Sequence, residues 1–417
     1  MSPKLKGPQL IFQLLLNKNH MKFVLFCMVS LLLFKSSLAQ NKTQKVTPIS
    51  SMLIFPPQEK HTHGSSIVSL PNGDFLCAWF MGSGERTADD VKIMGARLQK
   101  GSKAWSPPFL LADTYNIPDC NPVFFINKNG KLFLVWIAVE ANKWEYSILR
   151  FKTSTDYLKT GAPVWNWQDN ILLKPGDNFA TEVAARFKEL PDNKAGWSAY
   201  APSYDDMTIE ASKDTRRRSI GWMTRIKPLL LDSSKILLPL YSDGYNFSML
   251  AISDDDGTTW RSSLPLVGRG NVQPALALKK DGTIAAYMRD NGDAPSRVHV
   301  SESPNKGESW SAAIESTIPN TASVELLVLQ DGKWAFLGND IEDGRYRLSL
   351  YISDDEGATW KWKYYIENEQ PGKGSFSYPS LIQSKDGLLH MTYSHQLDKM
   401  GEAIKYVVLD TKKLTTE

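Results

Sequence analysis

Apolar and polar residues alternate in short runs along most of the chain, and the runs come in pairs. An apolar run, a turn and a second apolar run occupy residues 67–80 around Asn72-Gly73, 123–136 around Asn129-Gly130 and 229–241 around Ser233-Ser234. The same pattern fills 275–288 around Asp281-Gly282, 324–338 around Asp331-Gly332 and 380–393 around Asp386-Gly387. Runs of this length around Asn-Gly or Asp-Gly read as β-hairpins, because those residues tolerate the positive φ of a tight turn. Six hairpins are predicted.

A second period runs through the first. Ser253-Asp-Asp-Asp-Gly-Thr-Thr-Trp260, Ser303-Pro-Asn-Lys-Gly-Glu-Ser-Trp310 and Ser353-Asp-Asp-Glu-Gly-Ala-Thr-Trp360 lie fifty residues apart, with worn copies at 99–105 and 154–165. Each octapeptide follows one further strand after a hairpin and precedes another. Four-stranded units repeated at this interval predict an all-β fold, a six-bladed β-propeller. The gap between the second and third hairpins is double the usual length. Residues 178–190 and 203–218 there have helical apolar spacing, with Thr181 and Ser203 as caps, which predicts a small helical insertion between blades 2 and 3, within about residues 166–220. A strand at 403–409 completes the last blade, with the mature N-terminus available to help close it.

Charge and the N-terminus limit the classes of function. Met21, Lys22 and the apolar run 23–34, followed by Ser-Ser-Leu-Ala at 36–39, read as a secretory leader cut near Ala39, with residues 1–20 as an over-called start. The expected product is a single propeller domain over residues 40–417, secreted or periplasmic. The run is too short to span a bilayer, and no membrane insertion of the mature chain is expected. The full chain carries 48 basic and 45 acidic residues, and losing the leader's five lysines leaves 43 against 45. A near-neutral surface has no basic field to gather nucleic acid. Cys77 and Cys120 remain after cleavage, both inside apolar runs, too few for a disulfide scaffold. His61 and His63 lack a cysteine or acid at ligand spacing, so no metal site is expected, and nothing implies a cofactor.

The octapeptides at 253 and 353 match in full the Asp-box of the sialidase (BNR-repeat) superfamily, and the one at 303 matches with Asn305 for Asp. With Leu238-Pro-Leu-Tyr-Ser-Asp-Gly, Val272-Gln-Pro-Ala-Leu and Ser377-Tyr-Pro-Ser-Leu, the chain resembles the bacterial secreted sialidase-like group with a helical insertion, from His63 to about Tyr406. The boxes themselves are architectural: the Asp accepts hydrogen bonds within the turn, Gly takes the strained backbone position and Trp packs between sheets.

Stacking the hairpins on their turn glycines places Gly64, Asn121, Lys227, Gln273, Ser323 and Tyr378 where inner strands begin. The resemblance implies that these starts, and the second-strand ends, face the active site. Those ends hold Glu85, Arg86, Glu140, Asp243, Arg289, Asp290, Asn339, Asp340 and His395. The resemblance further implies a tyrosine nucleophile at Tyr378 and a carboxylate-binding arginine at Arg289, because a guanidinium fork fits a carboxylate with two parallel hydrogen bonds. Three departures stand out. His63, in Thr62-His63-Gly64-Ser65, replaces the first arginine; Val272 or Gln273 stands where a Glu should activate the tyrosine; and the general-acid Asp aligns near Thr87, beside Asp89 and Asp90. The third arginine falls to Arg345 or Arg347.

The leading expectation is an exo-acting glycoside hydrolase of the sialidase type, a monomer releasing a terminal acidic sugar from glycans. Its catalytic residues would be Tyr378, His63 and Arg289, with Asn121, Lys227, Gln273, Glu85, Arg86, Asp243, Asp340 and His395 binding substrate. One alternative is a uronate-directed lyase or a rhamnosidase using His63 and Tyr378. The other is a propeller that binds glycans without turning them over.

Overall fold

The computed structural model describes residues 44–192, 203–231, 234–397 and 401–414; the leader expected from the sequence, Ser233 of the third hairpin turn and part of the insertion lie outside them. Six sheets form the blades of a propeller, antiparallel except that Gln44–Lys45 adds to the fifth in parallel with Trp362–Asn368. Blade 1 runs from the strand His61–Ser69 to Phe109–Ala112, blade 2 from Asp119–Ile126 to Trp167–Asn170, and blade 4 from Asn271–Leu278 to Ile314–Pro319. Blade 5 spans Glu325–Val328 to Trp362–Asn368. Blade 6 pairs Ser375–Gln383, Leu388–Gln396 and Glu402–Asp410, and its fourth strand is Ser50–Leu53 from the start of the chain. The last blade is thus built from both ends of the described chain, with Ser50–Leu53 as its outer strand.

Blade 3 departs from the regular plan. Its innermost position is split into Met223–Thr224 and Leu229–Leu230, both paired with Ile236–Ser242, so residues 225–228 leave the ladder and lie near the axis. The insertion before it carries two helices, α1 (Asn178–Phe187) and α2 (Tyr204–Lys213). Ser203 caps α2 by accepting from the Asp206 N–H. Thr181 is no cap: α1 starts at Asn178, and Thr181 sits inside its first turn. Residues 167–170 belong to blade 2, so the helical segment begins after them.

The Asp-box turns repeat almost atom for atom. In the first box Gly257 N–H donates to Ser253 Oγ at 2.8 Å, and Thr259 N–H and Oγ donate to Asp255 at 2.8 and 2.6 Å. The third box has the same bonds from Gly357 and Thr359 at 2.8, 2.8 and 2.6 Å. In the second, Asn305 accepts from Ser309 N–H but donates its amide to Ser309 Oγ at 2.8 Å, so the turn survives the loss of charge. Glycine is required here twice over. Gly257 has φ +92°, and a Cβ on it would sit 2.6 Å from the Phe133 ring of the preceding blade. The boxes therefore seal the seams between neighbouring blades. Cys77 and Cys120 are buried free thiols.

Candidate functional site

At the other end of the blades, four inner strands share a second device. Registers slip between His63 and Ser66, Cys120 and Val123, Val272 and Ala275, and Ser377 and Ser380. Within those bulges Gly64, Asn121, Gln273 and Tyr378 have φ of +67°, +51°, +57° and +55°. Three of the four precede a proline, which has no N–H to lose where pairing is interrupted. A positive φ at a tyrosine is costly, on the order of 1–3 kcal/mol, and such strain persists where the surroundings impose it. The bulges turn side chains inward at the axis.

They open onto a cavity of about 360 Å³. Tyr378 forms its floor. Arg289 Nη1 donates to the Tyr378 hydroxyl at 3.1 Å, and the Gln273 amide lies 3.5 Å from the same oxygen. The guanidinium carbons of Arg225 and Arg345 stand 5.0 and 5.4 Å from the centre of its ring. His63 packs on Tyr378 with ring centroids 4.1 Å apart. Burial, and then the charges of Arg345, His61, Arg225 and Arg289, push the His63 pKa well below the usual histidine range, so its imidazole is neutral at physiological pH. No protein group among the described residues hydrogen-bonds that ring.

Two carboxylate-bearing walls face the arginines. Glu85 and Asp243 line one side. Asp243 is open to solvent yet crowded by the cavity walls. Desolvation raises its pKa; Arg289 opposes the rise, while Glu145 and Glu85 reinforce it. On the other side Glu402 accepts from the Thr62 N–H at 2.7 Å and meets His61 Nδ1 at 3.1 Å. Burial is the largest influence and works against the charge on His61, but the hydrogen bond and charge of Glu402, with the charge of Glu85, together outweigh it and raise the His61 pKa. Asn121 donates to the Tyr241 hydroxyl at 3.1 Å, and burial raises the pKa of that phenol. His395 also lines the cavity, its pKa lowered by burial.

Of the eleven residues expected to act on or bind the substrate, Tyr378, His63, Arg289, Asn121, Gln273, Glu85, Asp243 and His395 share this cavity. Three do not. Lys227 turns to the Leu381 carbonyl at 2.8 Å and Glu325 at 2.7 Å, away from the site, because the break in blade 3 displaces it from a bulge position. Asp340 is consumed by Arg347, Ser349 and Tyr351, at 2.7, 2.8 and 2.8 Å, and by Lys363. Arg86 lies behind the cavity wall, 5.5 Å from the ring of Trp144. Arg347's tie to Asp340 leaves Arg345 as the second arginine of the cavity. Asp89 and Asp90 are bound at the surface to Asn142 and to Ser83 and Lys60. No carboxylate among the described residues bonds Tyr378, and Gln273 holds the place of the expected Glu.

The sequence matches the BNR repeat-like domain over residues 73–225 and again over 191–391, most of the chain. The chain belongs to that family. A search of curated proteins found no significant match. Among solved structures, the BNR-repeat chain is similar to the NanB sialidase of Streptococcus pneumoniae (TM-score 0.62, 12% identity, covering 87% of this chain and 71% of that one). It is also similar to the intramolecular trans-sialidase of Ruminococcus gnavus (0.62, 14%, 90% and 100%) and to the α-L-arabinanase of Penicillium chrysogenum (0.56, 14%, 88% and 99%). At such identities the likeness shows the sialidase-like propeller fold alone.

Sequence reading of this BNR-repeat protein missed Arg225, Tyr241 and Glu402. Arg225 is 2% exposed and donates to the carbonyls of Ser65 at 3.2 Å and Pro379 at 3.1 Å, each just after a bulge residue. Its signal was present as the polar residue before Ile226-Lys227-Pro228, two residues earlier than the hairpin stacking placed it. Glu402 comes from the third strand of blade 6, which that stacking left out.

Proposed function

We propose that this propeller is an exo-acting glycosidase that releases a terminal acidic sugar, carried on a domain spanning residues 40–417 and exported by the leader before it. The observation that supports this best is the convergence of Arg289 and Arg345 on Tyr378 at the floor of a cavity sized for a single sugar. Two guanidinium groups there suit the carboxylate of the substrate. Asp243, held toward its protonated form, donates to the glycosidic oxygen as the C–O bond breaks. Positive charge then develops at the anomeric carbon. Tyr378 attacks it, its developing phenolate character stabilised by the hydrogen bond from Arg289 and its proton passing to water in the open cavity. Water, deprotonated by the Asp243 carboxylate, hydrolyses the glycosyl-tyrosine, and the released phenolate takes a proton back from water.

The same neutral His63 supports a second reading. In a lyase, Arg289 and Arg345 neutralise a uronate, His63 removes the C5 proton and Tyr378 protonates the departing oxygen, leaving an unsaturated uronide. Incubation with sialyl-lactose and with uronate-terminated oligosaccharides separates the two. Hydrolysis yields a free saturated acidic sugar, lost with Asp243→Asn. Elimination yields an ultraviolet-absorbing product, lost with His63→Ala and spared by Asp243→Asn. Binding without turnover across a broad glycan panel rejects both.

A further inference from the structure

Beside the cavity lies a groove of about 380 Å³ between the outer part of blade 2 and the segment entering blade 3. Tyr146, Leu149, Ile171, Leu172, Ile220 and Trp222 line it. Several of these are far more open than their apolarity favours: Leu172 is 68% exposed, Tyr146 48% and Ile220 41%. Solvent-facing apolar residues gathered in one concavity mark a place where something apolar binds.

The groove and the cavity share one wall. Trp144 lines the cavity and Tyr146 the groove, and the two belong to a single 3₁₀ turn, Trp144–Tyr146. Glu145 between them is held from both sides. On the groove side it abuts Gly221, where a Cβ would fall 2.5 Å from the Glu145 carbonyl oxygen. On the cavity side its side chain reaches Gly244, next to Asp243, at 3.6 Å from the position a Cβ would take. The cavity that holds Asp243 and the groove thus adjoin across one short turn, on the side where a leaving group protonated by Asp243 would depart.

We infer that the groove is the leaving-group site of this enzyme and takes an apolar aglycone, an alkyl or acyl chain on the acidic sugar. The inference rests on the glycosidase reading for its orientation. Polar groups in the lining are few, Glu140, Ser147 and Ser219 among them, so the site offers little to a second hydrophilic sugar. An acidic head in an arginine-floored cavity and an apolar tail in a neighbouring groove make the substrate an amphiphile.

The test uses methyl, butyl and octyl α-glycosides of N-acetylneuraminic acid, whose leaving oxygens are chemically alike, and the matching glucuronides. KM is expected to fall at least about tenfold from methyl to octyl, since each buried methylene contributes substantially to binding. In Leu172→Glu and, separately, Ile220→Glu, both at solvent-exposed positions, the octyl-to-methyl ratio should collapse toward one. Turnover with no dependence on chain length overturns the inference and leaves the glycosidase reading intact. So does a concentration-dependent dimer that Leu172→Glu dissociates, which would assign the groove to a second copy. If no glycoside is turned over, calorimetry with n-octyl β-D-glucoside below its micelle concentration decides. Binding lost in Leu172→Glu keeps the apolar site while the glycosidase reading falls, and absence of binding rejects the groove as well.

Discussion

The two ends of each blade are built on opposite logics. At the turn end, three boxes fifty residues apart make the same backbone N–H hydrogen bond to within about 0.2 Å, whether the acceptor is Asp255, Asn305 or Asp355. At the cavity end, the backbone again repeats, as a bulge with positive φ in four blades, but the residue presented differs every time: Gly64, Asn121, Gln273, Tyr378. Repetition of both backbone and side chain builds seams. Repetition of backbone alone, with changing side chains, is how a repeat scaffold gathers unlike groups at one point.

The largest break in that comparison should come from the tyrosine. Tyr378→Phe removes the atom that Arg289 and Gln273 approach, and kcat is expected to fall on the order of a thousandfold, the scale of losing a positioned nucleophile or acid–base group. Its melting temperature should stay close to that of the parent, since the ring and its packing on His63 remain. A drop in activity matched by a drop in stability would instead make the phenol a structural group.

Arg225 sharpens the comparison because it links two bulges instead of lining the cavity. Its guanidinium donates to no carboxylate among the described residues and is buried, an arrangement that costs solvation. What it gains is the alignment of the carbonyls behind Gly64 and Tyr378, and hence of His63 against the tyrosine. Arg225→Met is expected to lower kcat about a hundredfold while KM moves far less, the effect of displacing reacting groups by an ångström or so. Steady-state kinetics on the best substrate checks the split, and equal changes in kcat and KM would reject the positioning role.

How much of this was legible in the sequence follows the same division. The turn end was readable because its chemistry is local: Ser, Asp, Gly and Thr within eight residues satisfy one another, so the pattern survives as text. The bulge positions were half readable, since Asn121-Pro, Gln273-Pro and Tyr378-Pro keep a fixed offset from their turn glycines. Blade 3 misled because its inner strand breaks after Thr224, which moved the inward-facing cation from Lys227 to Arg225. Glu402 was unreadable by hairpin stacking, because it meets His61 across 341 positions through the closure of blade 6 on blade 1. Asp340 failed for a different reason. A carboxylate at a strand end looks the same in sequence whether it faces a cavity or is enclosed by Arg347, Lys363 and Tyr351.

Each end also holds a buried histidine, and pH distinguishes their surroundings. At the turn end His390 lies between the Tyr406 hydroxyl, 2.6 Å from Nδ1, and the Ser384 hydroxyl, 2.8 Å from Nε2. Ser384 donates to Asp386, so it accepts from Nε2–H, and Nδ1 accepts from Tyr406. That network fits neutral imidazole. Burial lowers the His390 pKa to about 4, with Asp386 only partly opposing it. A histidine with a depressed folded pKa contributes its full stability above its unfolded value of about 6.5, and the contribution is lost as pH falls toward 4. Unfolding free energy should therefore be about 2 kcal/mol lower at pH 5 than at pH 7 from this residue, read as the difference in slope between the parent and His390→Gln in denaturant titrations. Parallel slopes would mean that the proton is accommodated.

The smallest expected effect tests whether the boxes are as indifferent to chemistry as their geometry implies. Asp355 accepts from Thr359 N–H and Oγ at 2.8 and 2.6 Å and from Ser353 Oγ at 2.7 Å, near the surface, and these bonds hold its carboxyl below the usual range although burial works the other way. Removing the acceptor with Asp355→Ala should cost about 1–2 kcal/mol, the price of leaving local donors to water and freeing the turn. Asp355→Asn should cost less than half as much, because Asn305 already makes that turn by accepting from Ser309 N–H and donating its amide to Ser309 Oγ. Neither change should alter kcat, since the box lies at the end of the blade away from Tyr378. If Asn at 355 were as damaging as Ala, the charge would matter and the middle box would be stable for reasons of its own. If either variant changed kcat, the two ends of the blade would be coupled, and the separation of seam from site would fail.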